Sequence, residues 1–399
     1  MLDLLQIAGQ MGEAGRRETE RRTRFDTHVA RAAARAGELE AALWAEQSAR
    51  IRASRTSWLV ACCDDPPAAR TPAPAAPEKY VVIATDGSQV APDRHEGVGG
   101  CYLINVGRIL ISYGAGLRPR LDSRAEVLIA DDEDEEAARN AMSQIRYGRE
   151  LKELSGLIEE ANPMAIPAVA LVDGSLIAWH LYDEKGDDLA KKEALRSLIA
   201  TLDCAQAASI PIAGYISDPG ARDIVNALRI TLCPHETVNC FRCPQEERTE
   251  PACTEIRTAT DAGLFAQILA PGERSPVFTA RNLKTFTPIL AHYGPHWIGF
   301  FYLKVPIGSR GTASEIARVE IPAWVADDPA LVAQVHAICL DQATKGRGYP
   351  VALAEAHEQA VVRGADREAF LAMLRRAFVR QDVPVAVTRK ALAKRTRAV

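Results

Sequence analysis

Two apolar runs in this chain each end in Asp-Gly-Ser: YVVIATDGS at 80–88 and PAVALVDGS at 167–175. Short apolar runs closed by turn residues read as buried strands. A strand delivers its last residue to the rim of a sheet, Gly lets the chain turn sharply there, and Asp is left facing an open crevice. One such ending is explained as a good turn and nothing more. Two of them bring a pair of carboxylates, Asp86 and Asp173, to neighbouring strand ends. They repel one another there unless a cation sits between them. Hard divalent ions such as Mg2+ or Mn2+ take oxygen ligands of this kind.

The remaining pattern alternates strand and helix. GGCYLINVGRILISYG (99–114) reads as two β-prone runs around a turn at Asn105–Gly107, a hairpin. Residues 137–160 read as helical. Then come the second buried strand, a helix at about 187–207, the strand IPIAGYIS, and a turn and helix in DPGARDIVNALRI. PHWIGFFYLKV and ARVEIPAWV read as late strands, and helices over 326–345 and 351–379 finish the pattern. Strand, hairpin, helix, strand, helix is the order of a ribonuclease H-like α/β core, a mixed sheet flanked by helices.

Ahead of that core, residues 17–56 lack Pro and have only Gly37 as glycine, with Val29, Ala33, Leu39, Leu43 and Ile51 on a ragged apolar stripe. The expected organisation is an N-terminal helical arm (1–63), a Pro/Ala linker (64–79), a ribonuclease H-like domain (80–379) with a cysteine-containing insertion (230–255), and a basic tail (380–399). The linker cannot continue a helix. An arm of this kind packs on its own domain or on a partner, and the sequence leaves both open.

With 399 residues, the chain has room for one large α/β domain with additions, or for two. No apolar run is long enough to span a bilayer, and the N-terminus turns charged too early for a secretory signal. The expectation is a cytoplasmic protein without membrane contact. Nine scattered cysteines do not suggest a disulfide framework there. A net charge of −4 argues against a generic nucleic-acid coat. Locally the charge is uneven, with DDEDEE at 131–136. Near the end Arg375, Arg376, Arg380, Arg389, Lys390, Lys394, Arg395 and Arg397 face only Asp382, a tail able to neutralise phosphates.

A third acid is expected from the helix between the two Asp-Gly-Ser strands. In YGRELKELSGLI, Tyr147, Leu151, Leu154 and Ile158 define a buried face. At about 100° per residue, Glu150 lies roughly 70° from its centre and Glu153 roughly 130°. Glu150 is thus the better candidate, with Glu153 its rival. A fourth group is His357, on a helix begun by Pro350. HEQAV opens like the zinc-protease pattern, but Val361 replaces the second histidine and that reading fails. A helix histidine beside carboxylates can ligate metal, orient water or protonate a leaving group, or simply be structural.

Taken in order, ATDGS, RYGREL, ALVDGSL, AGYISDPGARDIVNALR, GERSPVF, FFYL, ARVEIPAWV and GYPVALAEAHEQAVV resemble the NurA nuclease family in its bacterial form, over about residues 78–395. The resemblance implies a ribonuclease H-like core with Asp86, Glu150, Asp173 and His357 around Mn2+. It implies 5′→3′ exonuclease and single-strand endonuclease activity in DNA double-strand break repair. It also implies a homodimer docked on a hexameric HerA-type ATPase. Two ions roughly 3.5–4 Å apart would suit that chemistry. The chain departs from many relatives at Asp218, where they carry Lys or Arg. Arg222 or Arg229 would have to supply that charge, with Tyr215 facing the cleft.

Cys233, Cys240, Cys243 and Cys253 fall in one short segment, and only Cys240 and Cys243 have C-x-x-C spacing. They suit a structural Zn2+ or iron–sulfur clip, or else are buried thiols. Cys62 and Cys63 have no assignable role. Two rival functions share the pattern. An actin-like ATPase or sugar kinase would place acidic turns on the same core, although no late glycine-rich loop or GxxxxGK[ST] loop is visible. A non-catalytic DNA-processing subunit would use the turns structurally.

Overall fold

The structure is a computed structural model, which describes residues 4–91, 100–129, 135–181, 189–243, 251–280, 291–308 and 313–385. In chain order its strands are β1 (Ala61–Cys62), β2 (Tyr80–Val90), β3 (Cys101–Tyr113), β4 (Arg120–Ile129), β5 (Ala168–Asp173), β6 (Ile212–Ser217), β7 (Phe278–Ala280), β8 (Ile298–Ile307) and β9 (Ala313–Pro322). Helices separate and flank them, so the chain is mixed α/β. It divides into two compact units, Met1–Ala75 with Tyr215–Gly348, and Ala76–Gly214 with Tyr349–Val399.

In the unit containing Asp86, the strand order is β5-β2-β3-β4. β2 and β3 are antiparallel with Asp86 opposite Gly107, and β3 and β4 are antiparallel. β5 runs parallel to β2, placing Thr85 beside Val172. A parallel neighbour needs a crossover, which the helix Glu135–Ala161 provides. Its Leu151, Leu154, Leu157 and Ile158 are buried, each worth about 1.5–3 kcal/mol on burial. Tyr102, Ile104, Val106 and Met142 form a further small cluster between β3 and this helix.

The expected hairpin turn at Asn105–Gly107 is absent. β3 runs unbroken through it, and the hairpins are β2–β3 and β3–β4. Gly107 serves a different need. A Cβ there would overlap the Ala356 carbonyl and lie 2.7 Å from Ala360 N, so the glycine admits the helix Val351–Ala360 against the strand. Asn105 Nδ2 donates to the Ala360 carbonyl at 2.9 Å. The single helix expected over 351–379 is two, Val351–Ala360 and Gly364–Arg380.

The other unit orders its strands β1-β7-β8-β9-β6. The N-terminal arm forms the helices Leu4–Glu38 and Ala41–Ala53. Val29, Ala36, Leu39, Trp44 and Ile51 are buried in one core with Leu228, Phe265, Phe278 and Phe300. The arm therefore packs on its own chain. No helix among the described residues is long and apolar enough to cross a membrane. Positions 131–134 of the acidic run lie outside the described residues. So do Arg389, Lys390, Lys394, Arg395 and Arg397, whereas Arg375, Arg376 and Arg380 lie on the last helix.

Candidate active site

Asp86, Glu150 and Asp173 line one cleft of about 520 Å3, with Arg146, Tyr147 and Trp179 among the other walls. Asp86 projects from β2, and its Oδ1 accepts the Gly87 N–H at 2.8 Å. Its Oδ2 lies 2.8 Å from His357 Nδ1. The imidazole is carried by the helix Val351–Ala360, whose end is tied down by Asn105 and by the Ser88 hydroxyl donating to the Ala360 carbonyl. His357 itself stays 64% exposed, so its far nitrogen is open to a ligand.

Glu150 is the most electrostatically perturbed member. Its pKa is raised to about 7, first by burial, opposed by Arg146, and pushed further by Asp86 and Asp173. Oε1 is buried without a hydrogen-bond partner, with only the Arg146 guanidinium near it, at 3.3 Å. Arg146 is itself held by the Gly87 carbonyl at 2.5 Å. Gly87 makes this approach possible, because a Cβ there would overlap Glu150 Oε1 and lie 2.9 Å from Arg146 Cγ. The glycine of the first Asp-Gly-Ser thus sits inside a strand and clears space for a carboxylate. Glycine serves close approach as well as turns.

Asp173 ends β5 at the cleft mouth, and Gly174 follows with φ +99°, the left-handed conformation that favours glycine. Desolvation by the surrounding wall raises the Asp173 pKa. A hydrogen bond from Tyr349 lowers it, and Asp86 raises it further. Glu153, the rival third acid, is engaged elsewhere, 3.1 Å from the buried Arg108 and 3.2 Å from Arg124. Tyr215, Arg222 and Arg229 belong to the other compact unit. Tyr215 is buried, Arg222 donates to the Arg257 carbonyl, and Arg229 stacks 3.6 Å over Trp58.

Arg146, Tyr349 and the aromatic wall of Trp179 and His180 were not singled out from sequence. Arg146 carried a signal, sitting four residues before Glu150 on one helix face. Tyr349 directly precedes the helix-starting Pro350, but nothing local marks its hydroxyl as a partner of Asp173. His180 meets Tyr147 edge-on at 4.8 Å. Burial, then Arg146, lowers its pKa and favours the neutral ring.

Neighbouring carboxylates that raise the pKa of Glu150 and Asp173, together with a buried unpartnered carboxylate oxygen, are what a bound cation relieves. The residues therefore fit a divalent ion. Among the described residues, no three His, Cys, Asp or Glu side chains are drawn together into a ready-made metal site.

A family model described as the NurA domain matches residues 80–362. No curated protein matches the chain. Among solved structures, it is similar to Thermus thermophilus RuvC, at 13% identity over 47% of this chain and 96% of that one, with a TM-score of 0.16. RuvC of T. thermophilus in complex with Holliday junction substrate is similar at 15% identity, with the same coverage and a TM-score of 0.15. At those scores neither likeness bears on function.

Proposed function

The chain belongs to the NurA family, a nuclease family, and from that premise we propose that it is a divalent-metal-dependent DNA nuclease working at Asp86, Glu150, Asp173 and His357. One observation carries the proposal: these acids meet in a single cleft although they come from the interior of β2, the end of β5 and a helix, with His357 hydrogen-bonded to Asp86. The antiparallel β2-β3-β4 meander, the crossover helix and the parallel β5 support a ribonuclease H-like reading of this unit.

Asp86, Glu150, Asp173 and His357 would hold Mn2+ or Mg2+. Such an ion supplies neutralisation of phosphate charge and a more acidic water. The side chains supply the rest. Glu150, as a carboxylate lining the cleft, can accept a hydrogen bond from the attacking water and orient it. Asp86 Oδ2 lies in hydrogen-bond contact with His357 Nδ1 and so orients the ring, leaving Nε2 to ligate the ion or to donate to the leaving oxygen. Arg146 places a cation beside the cleft for a phosphate oxygen. The family resemblance supports finer features. They are 5′→3′ exonuclease and single-strand endonuclease activity in break repair, a homodimer, and a hexameric HerA-type ATPase as partner.

Labelled linear DNA incubated with the purified protein in Mn2+ or Mg2+ tests the reading. We expect strand loss that EDTA abolishes. Intact DNA under all metal conditions, with or without a HerA-type partner, contradicts it. Nucleotide hydrolysis without DNA loss would place the chain with the phosphotransferases of similar core.

A further inference from the structure

Away from the cleft, in the unit that carries the N-terminal arm, Cys233, Cys240, Cys243 and Cys253 line a single cavity of about 170 Å3. They arrive from separate turns. Cys233 follows the helix Asp223–Thr231, Cys240 and Cys243 bracket a 3-10 turn, and Cys253 lies on another. All four are free thiols. His235 lines the same cavity, and its Nε2 is buried without a hydrogen-bond partner. A buried unpaired imidazole nitrogen costs free energy and calls for an explanation such as a missing ion.

The surroundings hold the four turns in place. Arg50 donates to the Cys233 and His235 carbonyls, each at 2.5 Å. The Cys240 N–H donates to the Arg55 carbonyl at 2.8 Å, and Arg229 donates to the Cys253 carbonyl at 3.0 Å. Arg229 and Arg242 also line the cavity.

We infer that Cys233, Cys240, Cys243 and Cys253 bind a thiolate-ligated metal centre that staples this segment to the N-terminal helices. Zinc and iron–sulfur clusters share this ligand chemistry. The four thiols line a cavity of about 170 Å3 that could take either group. The site is separate from the proposed nuclease residues, so its test does not depend on DNA cleavage.

The full chain is purified without oxygen, and its iron, acid-labile sulfide and zinc are measured alongside its visible absorption. Iron with sulfide and visible charge-transfer bands, lost in the Cys240→Ser/Cys243→Ser double variant and kept in Cys204→Ser, supports the cluster. Stoichiometric zinc with the same dependence supports the thiolate centre in its mononuclear form. If the double variant is insoluble, thiol labelling of the wild type replaces it. The cysteines should resist alkylation until a chelator is added. Protein free of both metals as purified, and still free after reconstitution with Fe2+ and sulfide or with Zn2+, overturns the inference. So does metal retained by the double variant.

Discussion

His357 Nδ1 stands 2.8 Å from Asp86 Oδ2, joining residues 271 positions apart in the sequence. The contact makes the late helix part of the same site as the first Asp-Gly-Ser strand. Asp86→Asn and Asp173→Asn should each lower cleavage by at least about 100-fold, the scale seen when a preorganised charged group is removed. Circular dichroism and thermal melting should show an intact fold, because both side chains sit at a cleft wall. Activity near wild type in either variant would remove that residue from the proposed chemistry.

Glu150 predicts an opposition between stability and activity. Its folded pKa, about 7, lies above the ordinary value of 4.5. The native state thus binds the proton more tightly than the unfolded chain. Stability falls as pH rises from about 4.5 to 7, by as much as ~3 kcal/mol. Glu150→Gln removes that loss and should melt higher than wild type at pH 8, with little difference at pH 4.5. The same variant should lose cleavage. Metal affinity of the wild type should weaken as pH drops below about 7, since the ion competes with a proton for this carboxylate. A flat metal-affinity profile from pH 6 to 8 would contradict this account.

Two glycines separate packing from chemistry. Gly87→Ala sets a methyl against Glu150 Oε1, the end of a side chain able to move. We expect a loss of activity of about tenfold or more with under about 1.5 kcal/mol of destabilisation. Gly107→Ala sets a methyl against the Ala356 carbonyl, which is backbone and yields less. That variant should destabilise by about 1–3 kcal/mol. Chemical denaturation of the two proteins in parallel checks the difference in kind.

Tyr349→Phe removes a hydrogen bond that holds the Asp173 pKa down. Such a bond is worth ~1 kcal/mol net. The acid limb of the pH–rate profile should therefore move to higher pH, with maximal rate reduced only a few-fold. An unmoved limb would make Tyr349 a packing residue.

Much of this site was legible because its signals are local. The apolar run before Asp173 announces a strand end, although the run before Asp86 continues as strand to Val90, and the 3.6-residue period separates Glu150 from Glu153 on one helix. What escaped depends on distant partners. Asn105 and Gly107 look like a turn in isolation, yet they serve the helix Val351–Ala360, some 250 residues later. The polar strand β4 has most of its residues exposed and so lacks the alternation that reveals a half-buried strand. The bond from Tyr349 to Asp173 joins residues with no sequence relation. The N-terminal arm, set off by its proline-rich linker, contributes Trp44 and Ile51 to a core shared with Phe265 and Phe300. No feature of the arm itself names those partners.

Anomalous diffraction from crystals grown with MnCl2 bears most directly on the claim that these carboxylates trap a divalent cation. The account predicts manganese bonded to Asp86 and to at least one of Glu150 and Asp173, and its absence from crystals of Asp86→Asn. Manganese bound elsewhere in a protein that cleaves DNA, or cleavage by protein whose cleft stays empty at saturating metal, would contradict it.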